Sequence, residues 1–301
     1  MKINFSILFL TGLIMLICSV KSGVAEEKSV LSWKGCSISR NAFMNECAEA
    51  YEKITGTKID VQGGGSTLGI RSVCAGNADI SGTCRPCLPD VFPELESGGY
   101  MTHVAWDAIC FITHPSNPVD SISTQQARDI LTGKITNWKG VGGPDKPILM
   151  LYRVQTEQGK FSGVGYITRQ LLFNDQGISF AHNGLYCHDS GVIEDAVEKL
   201  EWTFAADGIS SSRKRNVKIL NLDDVLCSKE NISNGTYPLF RPLYILTKGK
   251  PVGEIKKLVD WLTGNEGQTI ISRQGTVNLR EGESLKGLYK YWLHTELILN
   301  Y

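Results

Sequence analysis

VQGGGSTLGIRSVCAGNADISGTCRPCLPD, residues 61–90, decides the reading of this chain. Gly63, Gly64 and Gly65 run into Ser66-Thr67 and then into a helical pattern ending near Ala75. Glycine accepts positive φ and lets the backbone come close to a ligand. Ser66 or Thr67 suits a helix N-cap. The first amides of a helix point outward unpaired and carry partial positive charge, so such a turn is a ready anion site. The plain alternative is an ordinary tight turn into a helix, and the rest of the chain has to decide between the two.

Outward from this stretch, strand and helix patterns alternate. Val30–Trp33 and Lys58–Val61 read as strands flanking an amphipathic helix over Asn41–Ile54, which Gly56 ends. Asp79–Ser81 is a short strand, and Val104–Thr113 a β-rich run closed by His114-Pro115. Helices follow at Thr124–Leu131, Gly163–Phe173, Ile193–Leu200, Pro251–Leu262 and Gly267–Arg273, with strands at Ile148–Arg153, Val217–Leu220 and within Tyr237–Thr247. This alternation predicts an α/β fold with a largely parallel sheet.

Lys2 and an apolar run over Phe5–Val20, followed by Ser22, Gly23 and Ala25, have the form of a secretory leader. The run is shorter than the roughly 20 residues of a spanning helix, so cleavage after about Ala25 is expected. About 275 residues then remain, enough for two lobes with separate cores. The 31 basic and 31 acidic residues balance, and loss of Lys2 and Lys21 leaves a net charge of −2. That balance, without a basic stripe, argues against nucleic acid as a partner. Of nine cysteines, eight lie beyond Cys18, an even number that suggests disulfides in an exported chain. Cys47–Cys74 is the favoured pairing, since both lie on helical patterns of the first lobe. Cys110, in an apolar strand, reads as a buried thiol.

Four phrases carry a resemblance: GGGSTLGIRSVCAGNADISGTCRP, DILTGKITNWKGVGGPDKPI, YPLFRPLYILTKGKP and LVDWLTGNEGQTIISRQGTVNL. In this order and spacing they resemble the periplasmic phosphate-binding (PstS-like) substrate-binding proteins of ABC transporters. The resemblance implies a two-lobed periplasmic-binding-protein-like (type II) fold with two hinge strands, lobe one being 26–115 plus 240–301 and lobe two 116–239. It implies a non-enzymatic, monomeric protein outside the cytoplasm that captures a small oxyanion, phosphate foremost, without a cofactor, and delivers it to a membrane permease.

The same resemblance implies the ligand set. The turn Gly35-Cys36-Ser37-Ile38 offers Ser37 and Ile38. The glycine turn offers Ser66 and Thr67, the segment Thr83-Cys84-Arg85 offers Cys84 and Arg85, and a fourth loop offers Arg153, then Glu157, Gln158 and Gly159. A guanidinium fits because its fork pairs two oxygens at once. Two positions depart from the family pattern. Cys84 stands where phosphate binders can carry an aspartate that accepts from protonated phosphate. Glu157 stands where a serine is usual, and a carboxylate about 4 Å from a dianion costs several kcal/mol at an effective dielectric near 20.

A second class of function also has sequence support. Cys84-Arg85-Pro86-Cys87 is a C-x-P-C motif, and thiol–disulfide exchange wants the first thiol at a helix N-terminus. Cys36, Cys84, Cys87 and Cys187-His188 could alternatively supply a four-ligand metal site if the fold gathers them. The competing expectation is therefore a binding-protein scaffold redeployed for cysteine redox chemistry or metal binding.

Overall fold

The computed structural model describes residues 30–153, 162–181 and 184–289. Its strands are β1 (Val30–Lys34), β2 (Lys58–Gln62), β3 (Ile80–Thr83), β4 (Gly99–Thr113), β5 (Ser121–Ile122), β6 (Leu149–Arg153), β7 (Leu185–Cys187), β8 (Thr203–Gly208), β9 (Lys218–Leu222), β10 (Phe240–Lys248) and β11 (Val277–Asn278). They join in the order β2-β1-β3-β10-β4-β8-β6-β7, with β11, β9 and β5 off this path.

The sheet is mixed. β1 pairs in parallel with β2 and β3, and β6 in parallel with β7 and β8. Between these two parallel arrays run β10 and β4, antiparallel to each other and to their outer neighbours. The expectation of a largely parallel sheet is corrected to this extent. Its cause is β4, whose first half pairs with β10 and β11 and whose last residues pair with β8 and β9. This strand is buried along nearly its whole length.

Pro242 sits inside β10, an unusual place because proline cannot donate to a ladder. β10 pairs with β3 only from Tyr244 to Thr247, so Pro242 lies where that neighbour has ended. A register irregularity follows at Leu243/Tyr244.

The helical run from Ser37 to Thr55 passes through a π-helical turn at Arg40–Met44 and ends at Gly56, whose φ of 78° is the left-handed geometry of a C-cap. Ser123 and Gln126 form a capping box on helix Thr124–Leu131. Helices Gly253–Thr263 and Asn265–Arg273 follow β10. Tyr51 packs edge-on against Trp261, with ring centroids 5.3 Å apart, which fastens the first helix to this C-terminal pair. Among the described residues no helix is long and apolar enough to cross a membrane.

Candidate anion site

Two turns beside the β1–β3 array are interlocked. A Cβ on Gly35 would lie 2.5 Å from Gly82 O, so only glycine lets these backbones approach. Cys36 N donates to Gly82 O at 2.9 Å, and Gly65 N donates to Gly35 O at 3.1 Å. Cys36 caps the helix that follows, its Sγ accepting from Ser39 N at 3.3 Å. Ser37 and Ile38 are the first helical residues, so their amides have no acceptor within the helix. Both are buried, and among the described residues Ser37 Oγ has no hydrogen-bond partner.

Gly65, at φ 91°, turns the chain into helix Ser66–Cys74, which starts on the buried Ser66. Ser66 Oγ accepts from Cys84 N at 3.3 Å and lies 3.4 Å from Cys84 Sγ. Cys84 lies two residues beyond Gly82, to which Cys36 N is bonded, and the two buried thiols influence each other's ionisation. Ser37, Ser66 and Cys84 are therefore one cluster drawn from three segments.

Two elements face this cluster from the other parallel array. Arg153 ends β6, and a Cβ on Gly65 would lie 3.0 Å from Arg153 Nη2. Helix Gly163–Thr168, capped by Ser162, starts against the same spot: a Cβ on Gly163 would collide with Cys84 Sγ and lie 2.5 Å from Ser66 Oγ. Arg153 has no hydrogen-bond acceptor among the described residues. Burial pulls its pKa down, and the negative charges of Asp189 and Asp207 act in the opposite sense.

A second guanidinium lies beneath the cluster. Arg241 of β10 and Asp107 of β4 are cross-strand partners, both fully buried, with Arg241 Nε and Nη2 donating to Asp107 Oδ2 at 3.0 and 2.8 Å. Asp107 Oδ1 accepts from Ser210 N at 2.9 Å. Arg241 Nη1 has no partner among the described residues. The hydrogen bond from Cys36, with help from the Arg241 charge and against the effect of burial, lowers the Cys84 thiol to about 6. Behind Arg153, the buried Glu194 faces Asp207; burial and the neighbouring carboxylate push Glu194 up to about 9.

The structure thus brings together Ser37, Ile38, Ser66, Cys84 and Arg153. It places two expected ligands elsewhere. Arg85 is fully buried against Glu96, with Nη1 and Nη2 each 2.8 Å from a carboxylate oxygen. Thr67 Oγ1 accepts from the same guanidinium at 3.2 Å. These side chains tie helix Ser66–Cys74 to Glu96 instead of presenting themselves to the cluster. Glu157, Gln158 and Gly159 lie outside the described residues. Sequence reasoning missed Arg241, Asp107 and Gly163. A single charge inside each apolar run, VAWDAICF and FRPLYIL, was the available signal for the first two.

The expected Cys47–Cys74 pairing is also corrected. Cys47 is a free, buried cysteine in helix Asn45–Thr55, whereas Cys74 Sγ lies beside Cys87: a Cβ on Gly99 would be 3.4 Å from the one sulfur and 2.8 Å from the other. Each cysteine of the C-x-P-C motif therefore faces a partner outside the motif. The motif follows β3 without opening a helix, so the expected low-pKa helix N-terminus is not there. Among the described residues no three or more His, Cys, Asp or Glu are grouped to hold a metal ion, and the proposed four-ligand set is not assembled.

The PBP superfamily domain model matches residues 35–266. The chain belongs to the PBP superfamily. Among curated relatives of this PBP-superfamily chain, phosphate-binding protein PstS of Borreliella burgdorferi is 26% identical over 252 residues, covering 82% of this chain and 89% of that protein. PstS of Bacillus subtilis is 26% identical over 264 residues, covering 85% and 83%. A solved structure from Clostridium perfringens, described as a phosphate ABC transporter substrate-binding protein with bound phosphate, superposes with a TM-score of 0.72. It is 27% identical and covers 83% of this chain and 99% of that one. An ABC-type phosphate transport receptor from Vibrio cholerae gives a TM-score of 0.62 at 26% identity, covering 83% and 100%. The two parallel arrays bridged by β4 and β10 are accordingly the two lobes and hinge strands of the type II binding-protein fold.

Proposed function

We propose that this chain is an extracytoplasmic solute-binding protein that captures phosphate between its lobes for an ABC transporter. One observation carries the reading: Arg153, from β6, reaches Gly65 at the start of helix Ser66–Cys74 on the opposite array. A guanidinium without an acceptor among the described residues, free helix amides and the unpartnered Ser37 hydroxyl form a donor set that suits an oxyanion. Phosphate is the ligand because the relatives of matching length carry that name.

In this reading Ser37, Ile38 and Ser66 donate from lobe one (26–115 plus 240–301), and Arg153 closes from lobe two (116–239). By the family resemblance, Glu157, Gln158 and Gly159 belong to the same ligand set. The chain is exported by the leader over 1–25, acts as a monomer and catalyses nothing. Buried donors left unpaired by a wrong ligand cost about 1–3 kcal/mol each, which supplies selectivity.

Calorimetry on refolded, ligand-free protein tests the proposal with phosphate, sulfate, molybdate and arsenate. Phosphate is expected to bind with a micromolar or lower Kd and to outrank the others. If all four bind only at about millimolar or weaker, the transport reading fails.

A further inference from the structure

The cysteines of the C-x-P-C motif point to a modification that the anion-binding function does not require. Cys36, the cap of the first helix, donates its amide to Gly82 O at 2.9 Å, two residues before Cys84, and both cysteines are buried there with their ionisations linked. Cys87 meets Cys74, the last residue of helix Ser66–Cys74. The second meeting is visible in the backbone as well: a Cβ on Gly99 would lie 2.8 Å from Cys87 Sγ and 3.4 Å from Cys74 Sγ. Both sulfurs crowd the space that a side chain at position 99 would fill. We infer that the two cysteines of the motif oxidise with Cys36 and Cys74 and not with each other, giving cross-links Cys36–Cys84 and Cys74–Cys87.

The chemistry is ordinary exchange with a disulfide oxidant, either a low-molecular-weight disulfide or a protein disulfide. The Cys74 thiolate attacks the oxidant and expels one thiol. The Cys87 thiolate then attacks the mixed disulfide and expels the second. Each cross-link forms one S–S bond, breaks one in the oxidant, and passes two electrons and two protons to two leaving thiols. Cys74 is the partly exposed member of its pair and the point of entry. Its thiol is lowered in pKa, chiefly by the hydrogen bond with Cys87, which favours the attacking thiolate. Cys36 and Cys84 are both buried, so their bond forms before the lobes close.

The consequence is mechanical. The segment after β3 becomes covalently tied on one side to the cap of the Ser37 turn and on the other to the far end of the helix that starts at Ser66. Three anion-facing segments then move as one body.

The test uses the whole chain refolded in a glutathione buffer containing oxidised glutathione. Free thiols are alkylated in denaturant, and the protein is digested and mapped by mass spectrometry without reduction. The expected product joins the Cys36 and Cys74 peptides to the peptide carrying Cys84 and Cys87, while Cys47 and Cys187 are alkylated. The variants C87S and C84S assign the connectivity: C87S should keep Cys36–Cys84, and C84S should keep Cys74–Cys87. Reduction should lower the Tm of the wild-type protein by roughly 10 °C. An internal Cys84–Cys87 bridge with Cys36 and Cys74 alkylated would overturn the inference. So would alkylation of all four thiols, or crossed links (36–87 and 74–84).

Discussion

Replacing Glu194 by glutamine should stabilise the protein at neutral pH and leave it nearly unchanged in mild acid. Glu194 is fully buried against Asp207, and its carboxyl is pushed up to about 9 from an ordinary value of 4.5. The folded chain therefore keeps a proton that the unfolded chain releases above about pH 4.5. Between those values the native state binds more protons, so stability falls as pH rises, by about 1.4 kcal/mol per unit. At pH 7 the accumulated cost is about 3 kcal/mol, and at pH 8 between about 4 and 5. Glutamine keeps the shape and has no proton to lose. Urea melts of reduced, ligand-free protein at pH 5, 6.5 and 8 would measure this. The difference between variant and wild type should be under about 1 kcal/mol at pH 5 and grow to several kcal/mol by pH 8. Groups other than Asp207, whose ionisation is tied to that of Glu194, titrate in both proteins and cancel. Parallel stability–pH curves, or a variant less stable than wild type at pH 8, would refute the assignment of a buried proton to Glu194.

Four further outcomes are expected. Arg153→Met should weaken phosphate binding about 10²–10⁴-fold, the loss of two charge-assisted hydrogen bonds at about 1.5–3 kcal/mol each, with Tm little changed; calorimetry showing under tenfold loss counts against Arg153 as a ligand. Gly163→Ala sets a methyl between the lobes against Ser66 Oγ and should raise the phosphate Kd at least tenfold; unchanged affinity would mean the arrays do not close there. With the thiols reduced, Cys84 is thiolate above about pH 6, and a bound anion disfavours that charge. Wild-type affinity should therefore fall relative to Cys84→Ser as pH rises from 5.5 to 8, by up to about tenfold per unit, and a constant ratio would contradict this sign. Asp107→Asn leaves the Arg241 charge buried without its counter-ion and should cost about 3–5 kcal/mol in denaturant melts; a loss below about 1 kcal/mol would show that Ser210 and the strands hold the site unaided.

Much of the fold was legible because periodicity, caps and glycines agree locally. Helix Thr124–Leu131 has the bounds its pattern predicts, and β1, β2 and β6 lie within a residue of theirs. β8 was missed, although it pairs with both β4 and β6. Its sequence TFAADG has two alanines, an aspartate and a glycine, so neighbours on both sides make it a strand where propensity does not. The strand β4 also starts five residues before the apolar run, since Gly99–His103 is drawn into the ladder by β10. At the site, the turn into Ser66 can be read from its own glycines and cap, whereas Ser37 and Arg153 enter only through the family resemblance, since neither carries a local signal. Arg85 was misplaced because nothing nearby in the chain reveals Glu96 as its partner eleven residues on. The cysteine partners were illegible for the same reason: each of Cys36–Cys84 and Cys74–Cys87 is set by how β3 lies beside β1 and β10, not by spacing.

Arg153 comes from one array and the serine turns from the other, so neither half owns the full set of donors. A splayed molecule would grip its cargo weakly, and the residence time of the ion becomes the lifetime of the shut form. A membrane partner that pries the halves apart by a few ångströms can then unload the ion without competing for it chemically.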